Sequence, residues 1–521
     1  MTLAYRHIFP LVSSLIALSS FAGCDGSGES GAAGNTQTGA AGSGGSTGTG
    51  TGTGGDGGLF QTANGGSTGS GTTSSSTPDP SAGCVSPTAN TQMSVWTKKA
   101  GAAEVQSTLG LASDNQGAVV VAGNFLGSID FGTGVLTSSG QNDAYVAKLD
   151  ANGTALWAKK YGDAQYHQYA QHVATDAQGN IFVTGHFRGT INFGGANLND
   201  VYNFFEDLFV AKLDTNGGHL WSKRAGDINN EESQAIATDK SGNVLVVGAF
   251  QKSIDFGGGA VVAEDGGFNA FVVKLSALGD QQWAKSFGDT ANEQKAIGVT
   301  ADADGNVYIT GYHRGSIDFG GGMLTAPDTK QHAYLAKLSS TGNYVWAKSW
   351  PTDTGSGVDV AVDSAGDVFV TGNFKGAGNF GGKDFDASVA NDVFLVKLAS
   401  DGTHIWSKTF GTKSAADEVS AMRLQGLNPV LLGGFTNKIN FGGGDLTSAG
   451  GFDVYLAKLD TDGCQIHSAV FGAAMLQRGE TLAIDPTGNT LFGGSFDSTV
   501  DFGTGPVTAD GTDAYVVKSK P

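Results

Sequence analysis

Apolar residues in this chain come in short bursts, never in helical stripes. Between Trp221 and Leu275 the bursts are WSKRAG, QAIATD, NVLVVGAF and NAFVVKL. Each is rich in Val, Ile, Ala or aromatic residues and is bounded by Gly, Asp, Asn or Ser. Such runs predict strands. No repeat sustains a period near 3.6 residues, which argues against helix. The whole pattern recurs. Trp96, Trp157, Trp221, Trp283, Trp346 and Trp406 stand 60 to 64 residues apart, and His467 occupies the seventh place. Seven copies of a four-stranded unit predict an all-β, seven-bladed β-propeller, because such a unit buries its faces only against its neighbours.

The turns agree. Asp-x-x-Gly-Asn or a near variant follows the innermost strand, as in DNQGA at 114, DAQGN at 176 and DKSGN at 239. Asp closes such a turn through its side chain, and Gly accepts positive φ. A second turn, LDANG or a relative, follows the third strand and signals a hairpin to the outer one. The sixth copy departs: AMRLQGLNPVLLGG puts Leu424 where the others have Asp, and Pro429 at the start of its second strand. A locally irregular blade is expected there, since Pro suits a strand start.

The chain ends predict how the ring closes. SVWTKKAG (94–101) is an outer strand without a blade, and DAYVVK (513–518) is a third strand without an outer partner. Pairing them completes the last blade and covers two open edges. Residues 91–521 are therefore read as the propeller. The run A-x-D-x-x-G-N-V-x-V-T-G followed by D-A-[YF]-V-x-K-L, as in VATDAQGNIFVTG and DAYVAKLD, resembles the bacterial SBBP-type β-propeller repeat. That resemblance covers about four fifths of the chain. It implies a propeller in an envelope or secreted protein and says little about activity.

Residues 1–23 read as a lipoprotein signal peptide: Arg6 and His7, an apolar stretch, then Phe-Ala-Gly before Cys24. Cys24 is the expected lipidation site, which would anchor the protein to the outer membrane or cell surface. Residues 24–90 are the lipidated Cys and a Gly/Ser/Thr/Ala-rich tether that cannot bury enough surface to order itself.

Formal charge is 30 − 49 = −19. That excess of acid argues against nucleic acid and against broad docking on anionic lipid. The membrane is thus met through the anchor only, and a monomer is expected. Cys84 and Cys464 each precede an outer strand, and those strands lie in adjacent blades of the ring. They either remain free or form a disulfide fastening the seam.

Repeated charges read as scaffold. Lys recurs in every third strand, from Lys148 to Lys518, and Asp opens many of them. The IDFGGG-type segments resemble a kinase DFG but lack its other motifs, so Phe there is read as a core plug. No cofactor is expected. Calcium is a lesser expectation, from DADG (302–305) and DTDG (460–463), which lack the twelfth-position Glu of an EF-hand loop. No HExxH or CxxC suggests zinc.

Residues that break the repeat are the candidates for function. The connection YGDAQYHQYAQH carries Tyr166, His167 and His172; the next connection carries Asn230 and Glu231. Aligned inner-strand positions read Gly110, His172, Ala235, Gly298, Asp359, Ser420 and Thr481, so His172 and Asp359 stand out at the axis. These residues define a candidate ligand face. The expected function is a lipid-anchored envelope module binding protein or glycan. Alternatives are an envelope assembly scaffold and an enzyme acting on polysaccharide, for which no carboxylate pair can be placed.

Overall fold

The computed structural model describes Cys84 and residues 94–520, except positions 203, 264–266, 290–291, 327, 329, 388–389 and 413–414. The expected signal peptide, Cys24 and nearly all of the expected tether lie outside the described residues. Contacts divide the chain at Ser75, and everything described belongs to the unit Ser76–Pro521.

That unit is a seven-bladed β-propeller. Blade 1 runs from the inside outward through Gln106–Ser113, Val119–Phe125, Asp143–Leu149 and Ala155–Tyr161, all antiparallel. The next five blades repeat this order. Blade 7 consists of Gln477–Ile484, Thr490–Asp501 and Pro506–Ser519, and its outer strand is Ser94–Ala100. Lys98 pairs with Val516 and Ala100 with Ala514, so the N-terminal strand closes the ring as the chain ends predict.

Second and third strands are buried on both faces, which is why VVVAGNF and DAYVAKL are apolar without alternation. Each core cluster is shared by adjacent blades. One joins Val120 and Val146 of blade 1 to Val183 and Phe209 of blade 2. The Phe of every IDFG-type segment is buried, from Phe131 to Phe502. Phe380 stacks on Phe394 with centroids 4.2 Å apart, and Phe502 on Tyr515 at 4.3 Å.

The repeated polar residues form one lock, used blade after blade. Asp114 accepts backbone N–H bonds from Gln116 and Ala118, holding its turn, and pairs with Lys148 Nζ at 2.9 Å. Lys212–Asp176, Lys274–Asp239 and Lys518–Asp485 repeat the pair at 3.2, 2.9 and 2.8 Å. The same lysines reach into the following blade: Lys212 Nζ donates to Ala277 O at 3.1 Å. Trp221 Nε1 donates to that same oxygen at 3.1 Å. Gly279 in the receiving turn has φ +89°, and a Cβ there would meet the Trp221 ring at 2.9 Å. Glycine is thus required twice over, by backbone and by the neighbour's indole. Asp207, Asp143 and Asp513 at third-strand starts pair with outer-strand Arg224, Lys160 and Lys99 at 2.7, 3.2 and 2.7 Å.

His467 now has an explanation. Trp406 of blade 5 donates to Thr461 O in blade 6, and Trp96 of blade 7 to Ala151 O in blade 1. The outer strand of blade 6 faces blade 7, where the turn between third and outer strands is replaced by the two chain ends. Among the described residues no hairpin turn there offers a carbonyl to an indole. Cys84, ten residues before the closing strand, is joined to Cys464 in blade 6, with Cα atoms 5.5 Å apart and a sequence separation of 380, and Lys408 Nζ of blade 5 lies 3.4 Å from Cys84 Sγ. Replacing Trp221 by Phe should cost about 1 kcal/mol for the lost hydrogen bond, whereas His467→Trp should not gain it. Denaturant melts of both variants check this.

Blade 6 corrects the sequence alignment. Its inner strand pairs Ala421 with Leu432 after a bulge at Ser420, and Gln425 pairs with Asn428 across a short turn. That turn is one residue shorter than DNQGA. The Asp position is therefore filled by Gln425, not Leu424, and the axis position by Ala421, not Ser420. Gln425 cannot form the ion pair. Burial accordingly pulls the Lys458 amine down.

Candidate binding site in the central channel

Inner strands line the channel, and a bulge in each turns one residue toward the axis. The level after the bulge carries Gly110, His172, Ala235, Gly298, Asp359, Ala421 and Thr481. Thr481 Oγ1 accepts from Leu111 N at 3.0 Å and Asp359 Oδ2 from Met422 N at 2.9 Å, so both tie adjacent blades. Two levels further along the inner strands stand Ala112, Ala174, Ala237, Thr300, Ala361, Arg423 and Ala483. Six small side chains leave a cavity of about 350 Å³ on the axis, and Arg423 is the charged residue in its wall.

Arg423 Nη1 reaches Asp359 Oδ2 at 2.6 Å and Met422 O at 2.7 Å. His172 comes from blade 2, across the ring from blade 6. Its imidazole is pushed down to about 4 by burial first, then by the Arg423 charge and by His186. The ring is therefore neutral at physiological pH. Three non-repeating groups from blades 2, 5 and 6 thus converge on the channel. The sequence singled out two of them; Arg423 was hidden by the one-residue deletion in blade 6, which spoils its alignment with the alanines.

The other candidates fall into two places. Tyr166 lies under the Arg188 guanidinium, 5.0 Å from its ring centroid, and His167 stacks on Tyr169 at 5.8 Å. Tyr169 packs on His186, which contacts Gln171 at 2.9 Å and Glu206 at 3.3 Å. This is a polar aromatic cluster on the face where outer strands lead to the next inner strands. Asn230 is half-buried beside it in the following connection. Glu231 is only 1% exposed, so it belongs to the scaffold and not to an accessible face. Its position holds Gln106, Gln168, Gln294 and Gln477 in other blades. Each of those bridges two backbone groups, as Gln168 does from Asp163 N at 3.2 Å to Arg188 O at 2.9 Å.

The same face carries a feature the sequence reading passed over. The loop from Leu198 to Asp207 in blade 2 is two residues longer than its blade 1 counterpart, Leu136 to Asp143. It exposes Val201, Tyr202 and Phe204, the last by 75%, and Ile228 is exposed on the neighbouring connection. Glu231 N donates to Glu206 O at 3.3 Å, joining the two segments. The carboxylates of the calcium-like turns hold their own backbones: Asp302 accepts from Asp304 N and Asn306 N, and Asp460 from Asp462 N and Cys464 N.

The class is therefore a repeat-built β-propeller. No family model matches the chain. It is similar to an uncharacterized WD repeat-containing protein of Acanthamoeba polyphaga mimivirus, 24% identical over 340 residues, covering 51% of this chain and 24% of that protein. It is also similar to the regulatory protein FlaEY of Caulobacter vibrioides, 23% identical over 331 residues, covering 59% of this chain and 32% of that protein. The chain thus spans about a quarter to a third of the length of these relatives. Among solved structures, Sqt1 from Chaetomium thermophilum is 12% identical, covering 83% of this chain and 100% of that one, with a TM-score of 0.38. A protein of unknown function from Dyadobacter fermentans is 10% identical, covering 82% and 99%, also at 0.38.

Proposed function

We propose that this protein is a binding module of the cell envelope, held by a lipid on Cys24 and engaging a protein partner through the loop face of blades 2 and 3. The observation that carries the reading is the exposed cluster Val201, Tyr202, Phe204 and Ile228, in the lengthened loop and its neighbour. Apolar groups that the fold does not need mark interaction sites. Similarity to a WD repeat-containing protein points the same way. Three of the four side chains, Val201, Phe204 and Ile228, bring no hydrogen-bonding group, which favours a protein side chain over a glycan. The N-terminal signature and the resemblance to SBBP-type repeats support the envelope location.

A photo-crosslinking residue in place of Phe204 should yield a discrete protein adduct in the native cell, and one in place of Ser139, on the shorter loop of blade 1, should not. Equal adducts from both would remove the reading. Labelling with an alkyne fatty acid tests the anchor separately: Cys24→Ala should lose the label.

A further inference from the structure

We infer that the channel cavity is a site for a small monocarboxylate, held by Arg423. The cavity is a separate place from the loop face, and the inference does not depend on what that face binds. Its wall at the Arg423 level is otherwise Ala112, Ala174, Ala237, Thr300, Ala361 and Ala483, so about 350 Å³ of space meets one charge. Pockets of this size hold ligands of modest size.

The guanidinium is only partly committed. Both of its hydrogen bonds come from Nη1, to Asp359 and to Met422 O. Arg has five N–H donors, and the described residues take none from Nη2 or Nε. The Arg423 side chain is 45% exposed, against 14% for Asp359. Asp359 is further occupied by Met422 N and Val360 N, so the pair is fixed from the acid side. What remains is an edge of a planar fork facing an open space, the geometry that a carboxylate matches with two parallel bonds.

The chemistry of the wall narrows the class. Asp359 already offsets much of the Arg423 charge. A dianionic phosphate would want more than one cation, and the cavity wall supplies no second one. His172, next to Val173 of the wall, is neutral and adds no second cation. A single negative charge satisfies the free edge, and the small side chains around it leave room for a body of modest size.

The probe is hexanoate, with hexanamide as its neutral counterpart, titrated calorimetrically into the intact chain. Saturable one-to-one binding of hexanoate is expected, with hexanamide at least roughly tenfold weaker, as the loss of a charge-assisted pair implies. Arg423→Gln should abolish the preference. Because that change unpairs Asp359, Ala237→Leu provides a second variant, filling the cavity with the ion pair intact, and should weaken hexanoate to a similar degree. Asp359→Asn should tighten it by releasing the guanidinium. Hexanoate that fails to saturate, binds no better than hexanamide, or is indifferent to both Arg423→Gln and Ala237→Leu would overturn the assignment.

Discussion

A chain shortened to begin at Ala102 should lose its cooperative unfolding transition and aggregate. It lacks Ser94–Ala100, which supplies the outer strand of blade 7. Without it, Pro506–Ser519 becomes an open edge with unpaired backbone groups. Trp96 no longer reaches Ala151 O, so blades 7 and 1 lose the lock that six of the seven blade junctions use. Blade stability is largely interfacial, and the loss spreads to the core shared by Leu111, Tyr145 and Val516. The seam has a second fastening, which allows a graded test. Cys84–Cys464 closes a loop of 380 residues, and loop-closure entropy assigns such a link up to about 6 kcal/mol. Cys464→Ser should therefore lower the melting temperature, and reduction of the native chain should lower it equally. Calorimetry of the native chain, with and without reductant, and of the variant decides this. If reduction leaves the transition unmoved, the strand alone closes the ring.

The ring, its blade count and its closure were legible because they rest on local signals repeated seven times. A burst of β-branched residues, a turn Asp and a turn Gly each carry the same meaning wherever they recur. What could not be read rests on contacts between blades. Nothing local says that Trp221 and Lys212 share Ala277 O, yet that shared oxygen explains why both recur and why His467 differs: no hairpin turn joins the third and outer strands of blade 7. The deletion in blade 6 shows the same limit from another side. Aligning from the second strand assigns Leu424 to the Asp position, whereas hydrogen-bond register assigns Gln425. One residue of error was enough to hide Arg423 among the alanines of the axis. Tyr202 and Phe204 were visible as letters, but only exposure distinguishes them from the aromatic core residues around them.

Glu231→Gln should stabilise the protein at neutral pH and leave it unchanged in acid. Four blades place Gln here, and its amide donates to a carbonyl while its oxygen accepts from the preceding connection: Gln294 Nε2 to Arg314 O at 3.0 Å, and Asp289 N to Gln294 Oε1 at 3.4 Å. A carboxylate can accept but cannot donate. In the folded chain, burial first, then the charges of Asp207 and Asp227, push the Glu231 carboxyl up to about 10 from an ordinary 4.5. Folding at pH 7 therefore takes up a proton that the unfolded chain has released, at a cost of about 3 kcal/mol. The sign follows. The folded state holds more protons between about pH 4.5 and pH 10, so stability is full below that window and falls as pH rises through it. Asp417, at the same position in blade 6, is pushed up to about 8 by burial and adds to the slope below that pH. Glu231→Gln removes that proton uptake, so a gain of roughly 1–3 kcal/mol is expected at pH 7. Urea melts of both proteins at pH 4 and pH 8 provide the check. The difference should be near zero at the lower pH and largest at the higher one. A gain equal at both would show that the amide helps through its hydrogen bonds alone, with no buried proton on Glu231.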